Sequence, residues 1–208
     1  MTPEAKVEIT ADMVKALRAE TSAGVLDCRR ALQESNGDFQ KAVERLREKG
    51  MATAAKRADR EASAGVVELY AHGNGRVGVM VEVNCETDFV ARSEQFRTLA
   101  HEIALQIAAN SPRYVRAEDI PSAELEKEAD KARARGKEEG KSAAVIDKIV
   151  EGYLEKYKDE VCLLRQAYVR DDSINVEKLV MQNVAAIGEN LVVRRFQRWE
   201  LGESTADQ

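Results

Sequence analysis

Apolar positions along this chain follow two periods, and the points where one gives way to the other mark out its elements. The first stretch has helical spacing. Ile9-Thr10-Ala11-Asp12-Met13-Val14 predicts a helix start, with Thr10 as the capping side chain and Ile9 against Val14 as a hydrophobic staple. A break at Thr21-Ser22-Ala23-Gly24 precedes a second helix that carries Val25, Cys28 and Leu32 on one side. Asn36-Gly37-Asp38 closes that helix and caps a third, in which Phe39, Ala42, Val43 and Leu46 share a face until Gly50 ends the run. Residues 1–50 thus predict a small three-helix bundle, near the lower size limit for independent stability and suited to contact rather than catalysis.

Residues 51–64, rich in Ala, Lys, Arg and Glu, read as a solvated helical linker. The period then drops to two. Gly65-Val66-Val67-Glu68-Leu69-Tyr70 and Val77-Gly78-Val79-Met80-Val81-Glu82-Val83 predict strands joined through His72-Gly73-Asn74-Gly75; Asn-Gly is a strong hairpin signal because both residues tolerate positive φ. Helical spacing returns over residues 92–109, where Phe96, Leu99, Ala100, Ile103 and Ile107 form a face that packs on the hairpin. Residues 122–141 predict an exposed helix, with Glu124/Glu128 and Lys131/Arg135 as an ordinary solvated face. Val145, Ile146, Ile149, Val150, Tyr153 and Tyr157 predict the next helix, and Val161-Cys162-Leu163-Leu164 and Ala167-Tyr168-Val169 read as extended. A further helix carries Val176, Leu179, Val180, Asn183 and Ile187, and residues 190–201 end as a strand. Without regular βαβ alternation, the class is α+β: the bundle at 1–50, the linker at 51–64, a core of a small antiparallel sheet packed with helices at 65–201, and a tail at 202–208.

Composition narrows the function. The 208 residues are 33% charged, 44% apolar and only 5% aromatic, as in a helix-rich protein with large solvated faces, and the net charge of −5 argues against a nucleic-acid binder. The opening Met1-Thr2-Pro3-Glu4-Ala5-Lys6 has no secretory pattern, and no apolar run is long enough to span a bilayer, so cytoplasmic residence is the expectation. Cys28, Cys85 and Cys162 are far apart and odd in number, which favours reduced, packed thiols over a disulfide framework. With His72 and His101 near no cysteine, neither a metal site nor a catalytic triad is suggested. Gly73-Asn74-Gly75-Arg76-Val77-Gly78 matches G-x-G-x-x-G, but a strand follows where a dinucleotide site needs a helix, so the match reads as a turn.

The informative stretch is Asn84-Cys85-Glu86-Thr87-Asp88-Phe89-Val90-Ala91-Arg92, where a strand ends and a helix begins. Thr87 and Asp88 suit a helix cap. Phe89 has two readings: tucked into the core beside a capping Asp88, the ordinary fate of an aromatic, or projected as a rigid probe into another protein.

Four ordered segments resemble bacterial elongation factor Ts, the nucleotide exchange factor family that acts on elongation factor Tu. They are Leu17-Arg18 with Thr21-Ser22-Ala23-Gly24-Val25-Leu26-Asp27-Cys28-Arg29-Arg30-Ala31-Leu32; Glu86-Thr87-Asp88-Phe89-Val90-Ala91-Arg92; Leu164-Arg165-Gln166-Ala167-Tyr168-Val169-Arg170-Asp171; and Ile187-Gly188-Glu189-Asn190-Leu191-Val192-Val193-Arg194-Arg195-Phe196. Ser22 stands where the family usually has Gly, and Val25-Leu26 replaces a common Met-Met pair. The resemblance implies a bundle of ubiquitin-associated type that docks on elongation factor Tu, in its GDP-bound and nucleotide-free forms, through Arg18, Val25 and Leu26. It implies that Phe89 enters a pocket of the partner's nucleotide domain, so that Thr87, Asp88, Phe89 and Val90 displace the partner's Mg²⁺. No catalytic residue, metal or cofactor of the chain's own is implied, and no membrane or nucleic acid. The chain looks like the shorter members, with one core repeat and no long inserted coiled coil; those look able to work as dimers, which brings a homodimer into view. The competing reading is a non-catalytic adaptor whose bundle binds a helical or ubiquitin-like partner.

Overall fold

The computed structural model describes residues 7–21 and 23–203; Ser22, the opening six residues and the 204–208 part of the tail lie outside the described residues. Helices α1 (Ala11–Thr21), α2 (Val25–Glu34) and α3 (Phe39–Ala55) form the N-terminal bundle. Thr10 caps α1 as expected, its Oγ1 accepting from Met13 N at 3.3 Å. Between α2 and α3 the chain reverses through Asn36 and Gly37, at φ 49° and 80°, and Asp38 caps α3 by accepting from Lys41 N at 3.1 Å. The Gly37 amide donates back to Leu32 O at 2.8 Å, which closes α2. Leu17, Cys28, Leu32, Ala42, Val43 and Leu46 lie in the bundle's buried core.

Two details differ from expectation. Val25 does not share the burial of Cys28 and Leu32; it sits in the first turn of α2 and is half exposed. Gly50 does not end its helix but lies inside α3, where an added Cβ would stand 2.9 Å from Ala185 Cβ. Its missing side chain serves a close approach, not termination.

Strands β1 (Ala64–His72) and β2 (Val77–Cys85) form the hairpin, turned by Gly73, Asn74 and Gly75, all at positive φ. The glycine match is therefore a turn. Along β2 the alternation is plain: Val77, Val79, Val81 and Val83 are buried, while Gly78 and Met80 face solvent. The short α4 (Asp88–Ala91) precedes α5 (Glu94–Asn110), whose Leu99, Ile103 and Ile107 are buried and whose His101 ring meets the Tyr70 ring edge-on at 5.3 Å.

Helices α6 (Ser122–Glu138) and α7 (Ala143–Val161) run antiparallel, as the pairings of Glu128 with Tyr153 and of Glu124 with Tyr157 require. The expected solvated face on α6 is corrected here. Glu128 is buried, and Glu124 turns inward to accept from Tyr114 Oη at 2.7 Å, from Tyr157 Oη and from Arg113 Nη1 at 2.8 Å. A stripe of Leu125, Ala129, Ala132 and Gly136 sets this facing; Gly136 in particular has Ile146 where a Cβ would be, at 3.0 Å. The chain thus carries a helical hairpin within the segment read as a core without a long coiled coil.

Val161 completes α7, and Leu163–Arg165 is a 3₁₀ turn rather than an extended run. Its amides are committed elsewhere, Leu163 N donating to Tyr114 O at 2.8 Å and Leu164 N to Val115 O at 3.1 Å. A short apolar run does not declare its backbone state. Beyond it, β3 (Ala167–Tyr168) pairs antiparallel with β4 (Asp171–Asn175), followed by α8 (Val176–Ile187) and β5 (Val192–Glu200). The main sheet has the order β1-β2-β5. Leu201 N donates to Arg76 O at 2.8 Å, and Arg195 reaches Glu82 at 2.8 Å, so β5 is antiparallel to β2. The class is α+β, as expected.

The chain gathers into two compact units. The first takes the chain up to Gly65 with Asn84–Phe96 and Val180–Val192; the second takes Val66–Val83, Arg97–Leu179 and the chain from Val193 onward.

Candidate functional site

At the end of β2 the backbone remains extended through Thr87, at φ −128° and ψ 154°, and then takes one helical turn as α4. Thr87 caps that turn, its Oγ1 accepting from Val90 N at 3.3 Å. The 100° step between helical residues sends Val90 and Ala91 into the interior, both buried, and leaves Asp88, Phe89 and Arg92 outside. Phe89 is 81% exposed, and it and Leu26 at 79% are the two most exposed large apolar side chains among the described residues. Burying a phenylalanine releases about 1.5–3 kcal/mol, so a ring left in water forgoes a sizeable stabilisation within its own fold.

Of the four residues singled out here, then, Thr87 is a cap, Val90 is an inward anchor, and Asp88 and Phe89 face solvent. Arg92 bridges back to Asp88 one turn earlier. Both partners are well exposed, and such a pair contributes little to stability. Asp88 therefore remains accessible to another donor.

The turn is not left to its own four residues. Glu189 Oε2 accepts from Glu86 N at 3.1 Å and from Thr87 N at 3.0 Å, and Glu189 Oε1 accepts from the Thr87 hydroxyl at 2.7 Å. In return Glu86 Oε1 accepts from Asn190 N at 2.7 Å, and Asn190 Nδ2 donates to Ala58 O and Arg60 O at 3.1 and 2.7 Å. Gly188, at φ 89°, supplies the bend that precedes these two residues. Sequence reasoning found Gly188-Glu189-Asn190 only as a landmark of resemblance. Its contacts cross more than a hundred residues, and no local pattern signals them.

The second candidate surface is on the bundle. Gly24 precedes α2 in extended conformation with no side-chain cap, so the first turn of α2 starts bare, and Val25 and Leu26 stand on it exposed. A shallow groove beside them is lined by Ile9, Val14, Val25 and the basic Lys15, Arg18 and Arg29. Arg18, Val25 and Leu26 are thus surface groups available to a partner.

Among the described residues neither surface presents a histidine or an exposed cysteine. Burial pushes the Cys85 thiol up, and the neighbouring Glu189 carboxylate adds to that rise; burial likewise raises Cys28, and Cys162 to about 11. These thiols stay protonated and unreactive at neutral pH. His72 meets Tyr70 and His101 meets Glu68. Among the described residues no group of three or more His, Cys, Asp or Glu could hold a metal ion, and no helix is long and apolar enough to cross a membrane. The arrangement presents shape, one aromatic ring and backbone-anchored polar groups.

The family model described as elongation factor TS matches residues 7–203. Elongation factor Ts of Carboxydothermus hydrogenoformans is 55% identical over 198 residues, 95% of this chain and 91% of the relative. That of Caldanaerobacter subterraneus is 55% identical over 195 residues, covering 94% and 98%. That of Coprothermobacter proteolyticus is 52% identical over 197 residues, covering 95% of this chain and all of the relative.

Proposed function

This chain belongs to the elongation factor Ts family, and on that premise we propose that it is a guanine-nucleotide exchange factor for elongation factor Tu. The observation that carries the reading is the 81% exposed ring of Phe89 on a capped, tethered turn. A rigid apolar group held in water is suited to fill a partner's pocket without first paying the entropy of ordering it. In this reading Phe89 wedges between helices of the GTPase nucleotide domain, Thr87 and Asp88 engage polar groups beside it, and Val90 holds the turn from within.

Nucleotide on such a GTPase is retained by phosphate-loop amides and by Mg²⁺ that bridges phosphate to protein. Displacing the ion removes a large electrostatic attraction. Because the factor binds the nucleotide-free partner better than the GDP-bound one, GDP must by linkage bind less tightly in its presence. No covalent bond is made or broken, so the chain is not an enzyme in that sense, and it needs no cofactor. Arg18, Val25 and Leu26 add docking contacts. The division of labour is a docking bundle at 1–50, a linker at 51–64 and an exchange core at 65–201, working in the cytoplasm. The exposed Leu69, Met80 and Trp199 of the sheet support a homodimer through that face.

Stopped-flow release of fluorescent GDP from elongation factor Tu tests the reading across a Mg²⁺ titration. The chain is expected to accelerate release most strongly at high Mg²⁺, where the ion otherwise holds the nucleotide. No acceleration at any Mg²⁺ concentration contradicts it.

A further inference from the structure

Helix α4 is one turn long, and a single turn does not sustain itself in water. Something else must fix the direction in which Phe89 points. The cap supplies one bond, from Val90 N to Thr87 Oγ1. That same hydroxyl donates its proton to Glu189 Oε1 at 2.7 Å, so Glu189 sets the orientation of the oxygen that caps the turn. The other carboxylate oxygen takes the Glu86 and Thr87 amides, the last two before the turn, at 3.1 and 3.0 Å. One carboxylate thereby satisfies three donors on two successive residues, and such charge-assisted bonds are roughly twice as strong as neutral ones. The brace is reciprocal, since Glu86 accepts from Asn190 N and Asn190 holds the carbonyls of Ala58 and Arg60.

We propose that Glu189 is a positioning residue for the exchange turn: its carboxylate holds Glu86 and Thr87 so that Phe89 is presented outward in one orientation. Asn190 completes the brace from the 58–60 segment. The role rests on the exchange reading above for its consequence, but the tether itself belongs to the isolated chain. Glu189 touches no nucleotide in this scheme; it acts through Thr87.

Two measurements separate the tether from its consequence. In the isolated protein, amide hydrogen exchange at Glu86, Thr87 and Val90 is expected to quicken about tenfold in Glu189→Gln, the scale of one charge-assisted hydrogen bond. Unchanged protection at these amides overturns the proposal whatever the partner does. With elongation factor Tu, Glu189→Gln is expected to lower the maximal GDP-release rate about fivefold or more in the wild-type background, and to add nothing once Phe89 is already alanine. Equal losses in both backgrounds mean a merely structural role and overturn it. Should Glu189→Gln fold poorly, Glu189→Asp carries the same two measurements. It keeps the charge but shortens the reach to Glu86 N, Thr87 N and the Thr87 hydroxyl, so protection of these amides is expected to fall together with the release rate, and unchanged protection overturns the proposal. If the wild-type chain accelerates no release, the exchange reading falls while amide exchange still decides the tether.

Discussion

In the 87–90 turn an aromatic ring stands in water while the neighbouring carboxylates of Glu86 and Glu189 turn inward onto backbone amides. In the α6–α7 pair the arrangement differs: Glu124 and Glu128 turn in from solvent to collect tyrosine hydroxyls, those of the partly buried Tyr114 and Tyr157 and that of Tyr153 at the exposed rim. Both regions satisfy every carboxylate named here, yet they use the bonds differently. In the hairpin the bonds join two helices, and their loss falls on stability. In the turn they hold one exposed side chain, and on the exchange reading proposed above their loss falls on recognition.

The widest separation of the two is expected from Phe89→Ala. A hot-spot aromatic is worth about 2 kcal/mol or more, so catalysed GDP release should fall about 30-fold. Stability should change only within the range of ordinary surface substitutions, about ±0.5 kcal/mol, so the melting temperature should move by about 2 °C or less. Calorimetry alongside stopped flow checks both, and a large loss of stability would place the ring in the core. Glu124→Ala is the mirror experiment. It removes the carboxylate that accepts from two partly buried phenols, and should cost about 2 kcal/mol, read as a drop of roughly 4–8 °C in Tm. GDP release by the folded variant should stay near the wild-type rate.

A smaller effect is expected at the bundle. Leu26→Ala removes an exposed apolar side chain, proposed above to dock on the partner, without touching the turn. It should raise the factor concentration for half-maximal release several-fold, on the order of 1 kcal/mol, and leave the maximal rate alone. A fall in the maximal rate instead would mean that the bundle shares the wedge's work.

The mildest probe is pH. Burial pushes the Glu124 carboxyl up, but hydrogen bonds from Tyr157 and Tyr114 and the Arg113 charge outweigh it, so the group lies below the ordinary glutamate value of 4.5. Glu128 is lowered mainly by its bond from Lys131, then by Tyr153, and Glu102 is lowered by Arg170 and Tyr168 against its burial. The folded state thus binds these protons less readily than the unfolded chain. Their stabilisation is full above the unfolded value and is lost as pH falls through the folded ones. Denaturation midpoints measured from pH 7 downward should decline in that acid range, and Glu124→Gln should flatten the decline.

What the sequence made legible followed from local chemistry. Asn74-Gly75 announced its hairpin, Thr10 and Asp38 announced their caps, and period-two spacing located β2. What stayed hidden depended on partners far along the chain. Gly50 looks like a terminator until Ala185 is seen against it, and Glu124 looks solvated until Tyr114 and Tyr157 arrive. The Leu125, Ala129, Ala132 and Gly136 stripe was readable at helical spacing and marks the inward side of α6. Phe89 was ambiguous for a similar reason. Its exposure depends on which neighbours turn inward, and Val90 and Ala91 do so only once the single turn of α4 is formed. Glu189 had no local sign at all.

The most direct test of the account is the GDP-release rate from elongation factor Tu at saturating factor, compared between wild type and a folded Phe89→Ala. The account predicts that the wild-type chain accelerates release strongly and that the variant binds yet accelerates about 30-fold less. Equal acceleration by the two would contradict it.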